Sequence, residues 1–149
     1  MISFNRFVLL KVYKFYWCFL IILIPFNLKA QSDSLKIITL DTDEFYIKLN
    51  SSNEKLILDV RELKDFEKER IPFAVSASNQ QILLSLTDKM EYEIPIFLYC
   101  EFISRSIDAG EILENKGFNK IYILEDGFTG WKKKKLPVER KKPKGNYFP

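Results

Sequence analysis

The stretch Ile94-Pro95-Ile96-Phe97-Leu98-Tyr99-Cys100-Glu101-Phe102-Ile103-Ser104-Arg105-Ser106 decides how the rest of the chain is read. An apolar run of strand length, opened by Pro95, ends on a cysteine. Five residues follow with an arginine among them, and a helix-period segment is expected from Ser106 to Lys116, with Gly117 as its stop. A strand that is apolar at every position is buried on both faces, as in a parallel sheet. The thiol then lies at the carboxyl end of a central strand and faces the amino end of a helix, where N–H groups and the helix dipole favour an anion. Cys100 is therefore expected to be accessible and to react as a thiolate.

Working outward, three more apolar runs alternate with helix-period segments. Residues 36–40 form a candidate strand, followed by a helix capped by Asp41 or Thr42 with Phe45, Tyr46 and Leu49 on its apolar face. Residues 56–60 are a second buried strand, and 63–69 a short charged helix. Pro72 restarts the chain as an extended segment through 73–75, and 80–86 supports another helix. Residues 120–124 are the last strand, after which Asp126-Gly127 turns the chain into a helix holding Phe128 and Trp131. Strands alternating with helices at this spacing argue for an α/β protein, three layers in α/β/α order around a central parallel sheet. Such a sheet binds ligands beyond the carboxyl ends of its strands, where Cys100 lies.

At 149 residues the chain has room for one domain. Residues 1–30 carry Arg6, Lys11, Lys14 and Lys29 with no acid, an apolar stretch of twelve residues over 15–26, and Ala30 before Gln31. This reads as an export signal, since a bilayer span needs ~20 apolar residues. The alternative is an uncleaved amino-terminal anchor, the one case in which a membrane partner is expected. Secretion or a periplasmic location follows from the signal. Removing 1–30 takes four of the 23 Lys+Arg and none of the 20 Asp+Glu, leaving 19 minus 20, or −1. Residues 31–140 are assigned to the folded domain and 141–149 to a basic tail. The basic residues from Lys132 onward read as a solvated face, so no nucleic-acid partner is expected.

Cys18 leaves with the signal, so Cys100 is the sole thiol of the mature chain, in a compartment where cysteines are normally paired. It is either a reactive or bridging thiol or a small apolar residue at a strand end. The chain contains no histidine, which excludes a Cys-His pair, a Ser-His-Asp triad and imidazole metal sites. No metal and no cofactor are expected, and the oligomeric state is left open.

Four motifs occur in an order that resembles the rhodanese-like domain, over about residues 35–139. Leu58-Asp59-Val60-Arg61-Glu62 is similar to that family's Asp-Val-Arg strand end, and Arg70-Ile71-Pro72-Phe73-Ala74-Val75 to its His-Ile-Pro-Gly-Ala segment. Residues 100–106 resemble the C-x-x-G-x-R-S active loop of single-domain members. Leu124-Glu125-Asp126-Gly127-Phe128-Thr129-Gly130-Trp131 with Leu136-Pro137-Val138 resembles the closing Leu-x-Gly-Gly-x-x-x-Trp and Leu-Pro-Val. The resemblance implies a sulfurtransferase with Cys100 as the catalytic residue. A small donor such as thiosulfate or a polysulfide passes sulfane sulfur to the thiolate, and the persulfide delivers it to cyanide, a thiol or a carrier protein.

The same resemblance assigns Glu101, Phe102, Ile103, Ser104, Arg105 and Ser106 to the substrate-binding loop, with Asp59, Arg61 and Glu62 supporting it. Ser104 and Ser106 are candidate donors to the persulfide, Ser106 equally a helix cap. Arg105 is expected to brace the loop against a carboxylate such as Glu62, and Glu101 to oppose a doubly negative donor by its charge. Ile103, Phe73 and Asp126 stand where the family has glycine, and Arg70 where it has histidine. A positive φ at Ile103 would cost ~1–3 kcal/mol. Two other readings are a catalytically weak or inactive binding or regulatory module and a Cys-Arg phosphatase; the latter has five residues between cysteine and arginine, against four here. Amino-terminal sequencing of the protein recovered from its host is expected to begin at or next to Gln31, and an intact Met1 on a cytoplasmic protein contradicts export.

Overall fold

The computed structural model describes residues 36–140; residues 1–30, read as an export signal and containing Cys18, and the tail over 141–149 lie outside the described residues. In chain order the elements are β1 (Ile37–Leu40), α1 (Thr42–Ser51), β2 (Leu56–Asp59), α2 (Leu63–Lys68), β3 (Glu69–Arg70) and β4 (Val75–Ser76). There follow α3 (Gln80–Thr87), β5 (Ile96–Tyr99), α4 (Ser104–Lys116), β6 (Ile121–Leu124), α5 (Gly127–Lys133) and β7 (Glu139–Arg140). Strands β1-β6-β5-β2-β4 make one sheet in that order, every pair parallel, and β3 pairs antiparallel with β7. The expected three-layer α/β/α architecture is the one observed.

The period-two alternation of the strands sorts their side chains between two cores. Leu58, Ile96, Leu98, Ile121 and Ile123 join Leu83 of α3 and Leu113 of α4 on one face. Ile57, Phe97, Tyr99, Tyr122 and Leu124 join Phe45 of α1 and Phe128 and Trp131 of α5 on the other. Gly110 of α4 lies against the sheet, where an added Cβ would come within 3.2 Å of Ile123. Trp131 closes the second core edge-on to Phe45, and its indole N–H donates to the Pro137 carbonyl at 2.8 Å.

Helix ends follow local chemistry. Asp41 caps α1 by accepting from the Glu44 N–H at 2.9 Å, Asn79 caps α3 through Ile82 at 2.9 Å, and Gly117 ends α4 at φ 114°. The β3–β7 ribbon was not foreseen. It is two residues a side and charged at each, so it carries no apolar period; Arg70 pairs with Glu139 and Arg140 with Glu69 across it. The basic run is partly neutralised, with Lys132 on Glu69 at 2.8 Å and Lys134 on Asp43 at 2.6 Å. The Lys132 hydrogen bond is the main cause holding the Glu69 carboxyl below its ordinary range.

Residues 71–74 make a turn rather than the extended start expected there, closed by the Ala74 N–H donating to the Ile71 carbonyl at 3.1 Å. Pro72 sits first and Phe73 second, at φ 65°, where this turn ordinarily takes glycine. The Phe73 side chain is 88% exposed and recovers little by burial. Phe73→Gly is therefore expected to raise the unfolding free energy by ~1 kcal/mol, read as an upward shift in the urea midpoint; a lower midpoint contradicts the strain.

Candidate functional site

The site is built where β2 and β5, adjacent and parallel, end side by side. The Val60 N–H donates to the Tyr99 carbonyl at 3.0 Å, which carries the pairing one step past the strands and sets Arg61 beside the loop after Cys100. Cys100 follows the parity of Leu98 and joins the α3/α4 core, with Ile103 packed against that core. It is a free thiol, 2% exposed. The accessible thiol expected from sequence is thus corrected to a covered one: its side chain continues the apolar face instead of projecting into the loop mouth.

Helix α4 starts at Ser104, two residues before the expected start. Ile103 is its N-cap residue and offers no side-chain cap; its carbonyl accepts from Ser106 at 2.9 Å and Ile107 at 3.2 Å. Ser106 is therefore corrected from cap to interior of the first turn, fully buried, with its hydroxyl unpaired among the described residues. Ile103 has φ −142°, so the left-handed strain that a glycine position would have imposed does not arise. Among the described residues, the N–H groups from Glu101 through Arg105 donate to no acceptor. They fall in the loop and first turn at the start of α4, and donors left free at a helix start are available to an anion.

Arg105 is exposed and has no ion pair or hydrogen bond among the described residues. The expected Arg105–Glu62 pair is not made, because Lys64 reaches Glu62 at 2.8 Å from two residues away. That hydrogen bond and the Lys64 charge hold the Glu62 carboxyl low, with Arg105 adding a smaller effect through space. Beside Arg105 a small groove runs between α3 and α4 over Val60, Ala77, Leu83 and Ala109. Phe102 and Ser104 are exposed on the loop.

Asp59 and Arg61 form the polar framework on the opposite face. Arg61 Nε lies 3.0 and 3.1 Å from the two Asp59 oxygens and Nη2 2.7 Å from Oδ2, with both side chains buried. The Arg61 N–H also donates to Asp59 at 2.9 Å, and Nη2 donates to the Glu69 carbonyl at 2.7 Å. The guanidinium stacks 4.0 Å over the Phe128 ring. Burial by itself would lower the Arg61 pKa; the hydrogen bonds and charge of Asp59 outweigh it and hold the group firmly cationic. Burial first, then the Asp59 charge, push the Tyr99 phenol well above its ordinary range.

Glu101 belongs to this framework and not to the donor's side. Its Oε2 lies 3.3 Å from Arg61 Nη1, and its Oε1 accepts from the Thr129 hydroxyl at 2.8 Å. The expectation that its charge faces an incoming anion is therefore corrected.

The first turn of α5 also grips the loop backbone. The Phe128 N–H donates to the Cys100 carbonyl at 2.8 Å and the Thr129 N–H to the Glu101 carbonyl at 3.3 Å. Gly127, at φ 59°, permits the approach: a Cβ there would lie 2.1 Å from the Phe102 carbonyl oxygen. Asp126 keeps an ordinary helical conformation at its glycine position and accepts from Thr42 at 2.8 Å. The sequence carries no site signal for Thr129 or Gly127 beyond the Asp126-Gly127 turn, because their contacts cross from α5 to the loop.

A model of the rhodanese-like domain family matches residues 41–134, well over half of the chain. The chain is similar to the thiosulfate sulfurtransferase GlpE of Vibrio cholerae, 26% identical over 83 residues, 56% of this chain and 77% of that one. Among solved structures it resembles a thiosulfate sulfurtransferase from Pseudomonas aeruginosa (TM-score 0.62, 23% identity), covering 71% of this chain but spanning only 21% of that one. It also resembles the polysulfide-sulfur transferase homodimer of Wolinella succinogenes (TM-score 0.60, 21% identity), over 77% of this chain and 87% of that one.

The buried pair yields a stability prediction. Asp59→Ala strands a buried guanidinium and is expected to cost ~3–5 kcal/mol in urea unfolding, well beyond an ordinary surface truncation. A loss under ~1 kcal/mol would show that Glu101 and the Glu69 carbonyl suffice to hold Arg61.

Proposed function

The chain belongs to the rhodanese-like domain family, and from that premise we propose that it is an exported single-domain sulfurtransferase moving sulfane sulfur through a persulfide on Cys100. The observation that carries this reading is the free cysteine at the end of β5, followed by N–H groups from Glu101 through Arg105 that no described acceptor uses. Sulfur transfer of this kind asks for a thiolate and for hydrogen-bond donors around the anion; it asks for no histidine.

The Cys100 thiolate attacks the outer sulfur of a donor such as thiosulfate. A new S–S bond forms to the cysteine, the donor's S–S bond breaks, and its electron pair leaves with sulfite. A thiolate or cyanide then attacks the outer sulfur of the persulfide, and Cys100 departs as thiolate, so the protein ends each cycle in its starting redox state. The Ser106 hydroxyl, buried and unpaired among the described residues, is a donor for the persulfide anion. Arg105 supplies an unpaired cation at the loop rim. Donor and acceptor are small sulfur compounds, or on the acceptor side a carrier protein.

The binding or regulatory reading has one observation in its favour, the 2% exposure of Cys100. Turnover decides between them. Transfer from thiosulfate or a polysulfide to cyanide is expected in the wild type and lost by on the order of a thousandfold in Cys100→Ser. Equal rates in the two proteins contradict the catalytic role, and no turnover in either favours the binding module.

A further inference from the structure

The strand ends divide the site by face. Cys100 and Val60 go with the α3/α4 core, whereas Arg61 lies over Phe128 on the α5 side. Glu101, directly after the thiol, carries the one carboxylate in the loop from Cys100 to Ser106. It is long enough to lie near either face, and two bonds place it on the α5 side: 2.8 Å from the Thr129 hydroxyl and 3.3 Å from Arg61 Nη1. We propose that Thr129 is a positioning residue which, with Arg61, parks the Glu101 carboxylate away from the thiol, so that an anionic sulfur donor can approach Cys100. This deepens the sulfurtransferase reading and rests on it.

The physical reason is charge placement. A carboxylate one residue from the thiol repels any negative reagent over a distance comparable to the Debye length of ~8 Å at physiological salt. Held against the Arg61 guanidinium, which Asp59 already pairs, the same charge is partly offset and kept on the α5 side. Arg61 is itself fixed by Asp59 and the Glu69 carbonyl, so it cannot follow a displaced Glu101. Thr129 supplies the shorter of the two bonds and is exposed, so its hydroxyl can be removed with little effect on the core.

The test compares alkylation of Cys100 in folded protein by iodoacetate, which is anionic, and iodoacetamide, which is neutral. The iodoacetate-to-iodoacetamide rate ratio is expected to fall roughly three- to tenfold in Thr129→Val at low salt and to recover as salt is raised. Thr129→Ser should keep the wild-type ratio. Adding Glu101→Gln to Thr129→Val should restore it, which a general loosening of the loop would not do. In turnover the same variant should raise KM for thiosulfate with a smaller change in kcat. A ratio unchanged in Thr129→Val, or lowered equally with and without Glu101→Gln, overturns the inference while leaving sulfur transfer on Cys100 intact. Failure of both reagents to modify wild-type Cys100 overturns this inference and the catalytic reading together.

Discussion

The buried Asp59–Arg61 ion pair is the constraint on which the rest of the site depends. It sits at the end of β2, beside the end of β5, and three separate segments meet it: the Glu69 carbonyl of β3, the Phe128 ring of α5 and the Glu101 carboxylate of the loop. A guanidinium buried to this extent carries a large desolvation cost, recovered only when its donors are all matched. Asp59, Glu69 and Glu101 supply those matches from three separate segments. Unmaking the arrangement leaves an unpaired charge in the core, which gives the loop after Cys100, with Ile103 in it, a defined shape.

That shape divides work between the two faces of the sheet. Toward α3 and α4 lie the thiol, the buried Ser106 hydroxyl and Arg105 at the edge of a small groove. Toward α5 lie the charged side chains of Asp59, Arg61 and Glu101. The first turn of α5 secures the division by taking the Cys100 and Glu101 carbonyls as acceptors, an approach that only glycine at position 127 allows.

Much of this was legible in the sequence. Strands β2, β5 and β6 announce themselves because they are apolar at nearly every position, and the thiol's place follows from where β5 ends. Asp59 and Arg61 lie beside the loop because two parallel neighbours, β2 and β5, end together. What was not legible depends on contacts between distant segments or on competition between local ones. The β3–β7 ribbon is charged throughout and has no period to read. Helix α4 begins at Ser104 after Ile103, which lacks a capping side chain, so the capping signal of Ser106 points two residues too far along. Lys64 outcompetes Arg105 for Glu62 simply by being closer in the chain. The direction of Glu101 depends on Thr129 and Arg61, at separations in sequence over which no pattern speaks.

The central claim is that Cys100 carries the transferred sulfur, and the most direct test is the intact mass of the folded protein after treatment with thiosulfate or polysulfide, with Cys100→Ser as control. The account predicts a gain of one sulfur atom that maps to Cys100, is removed by cyanide and is absent from the serine variant. A wild-type mass unchanged by either donor, or an equal gain in Cys100→Ser, would contradict it.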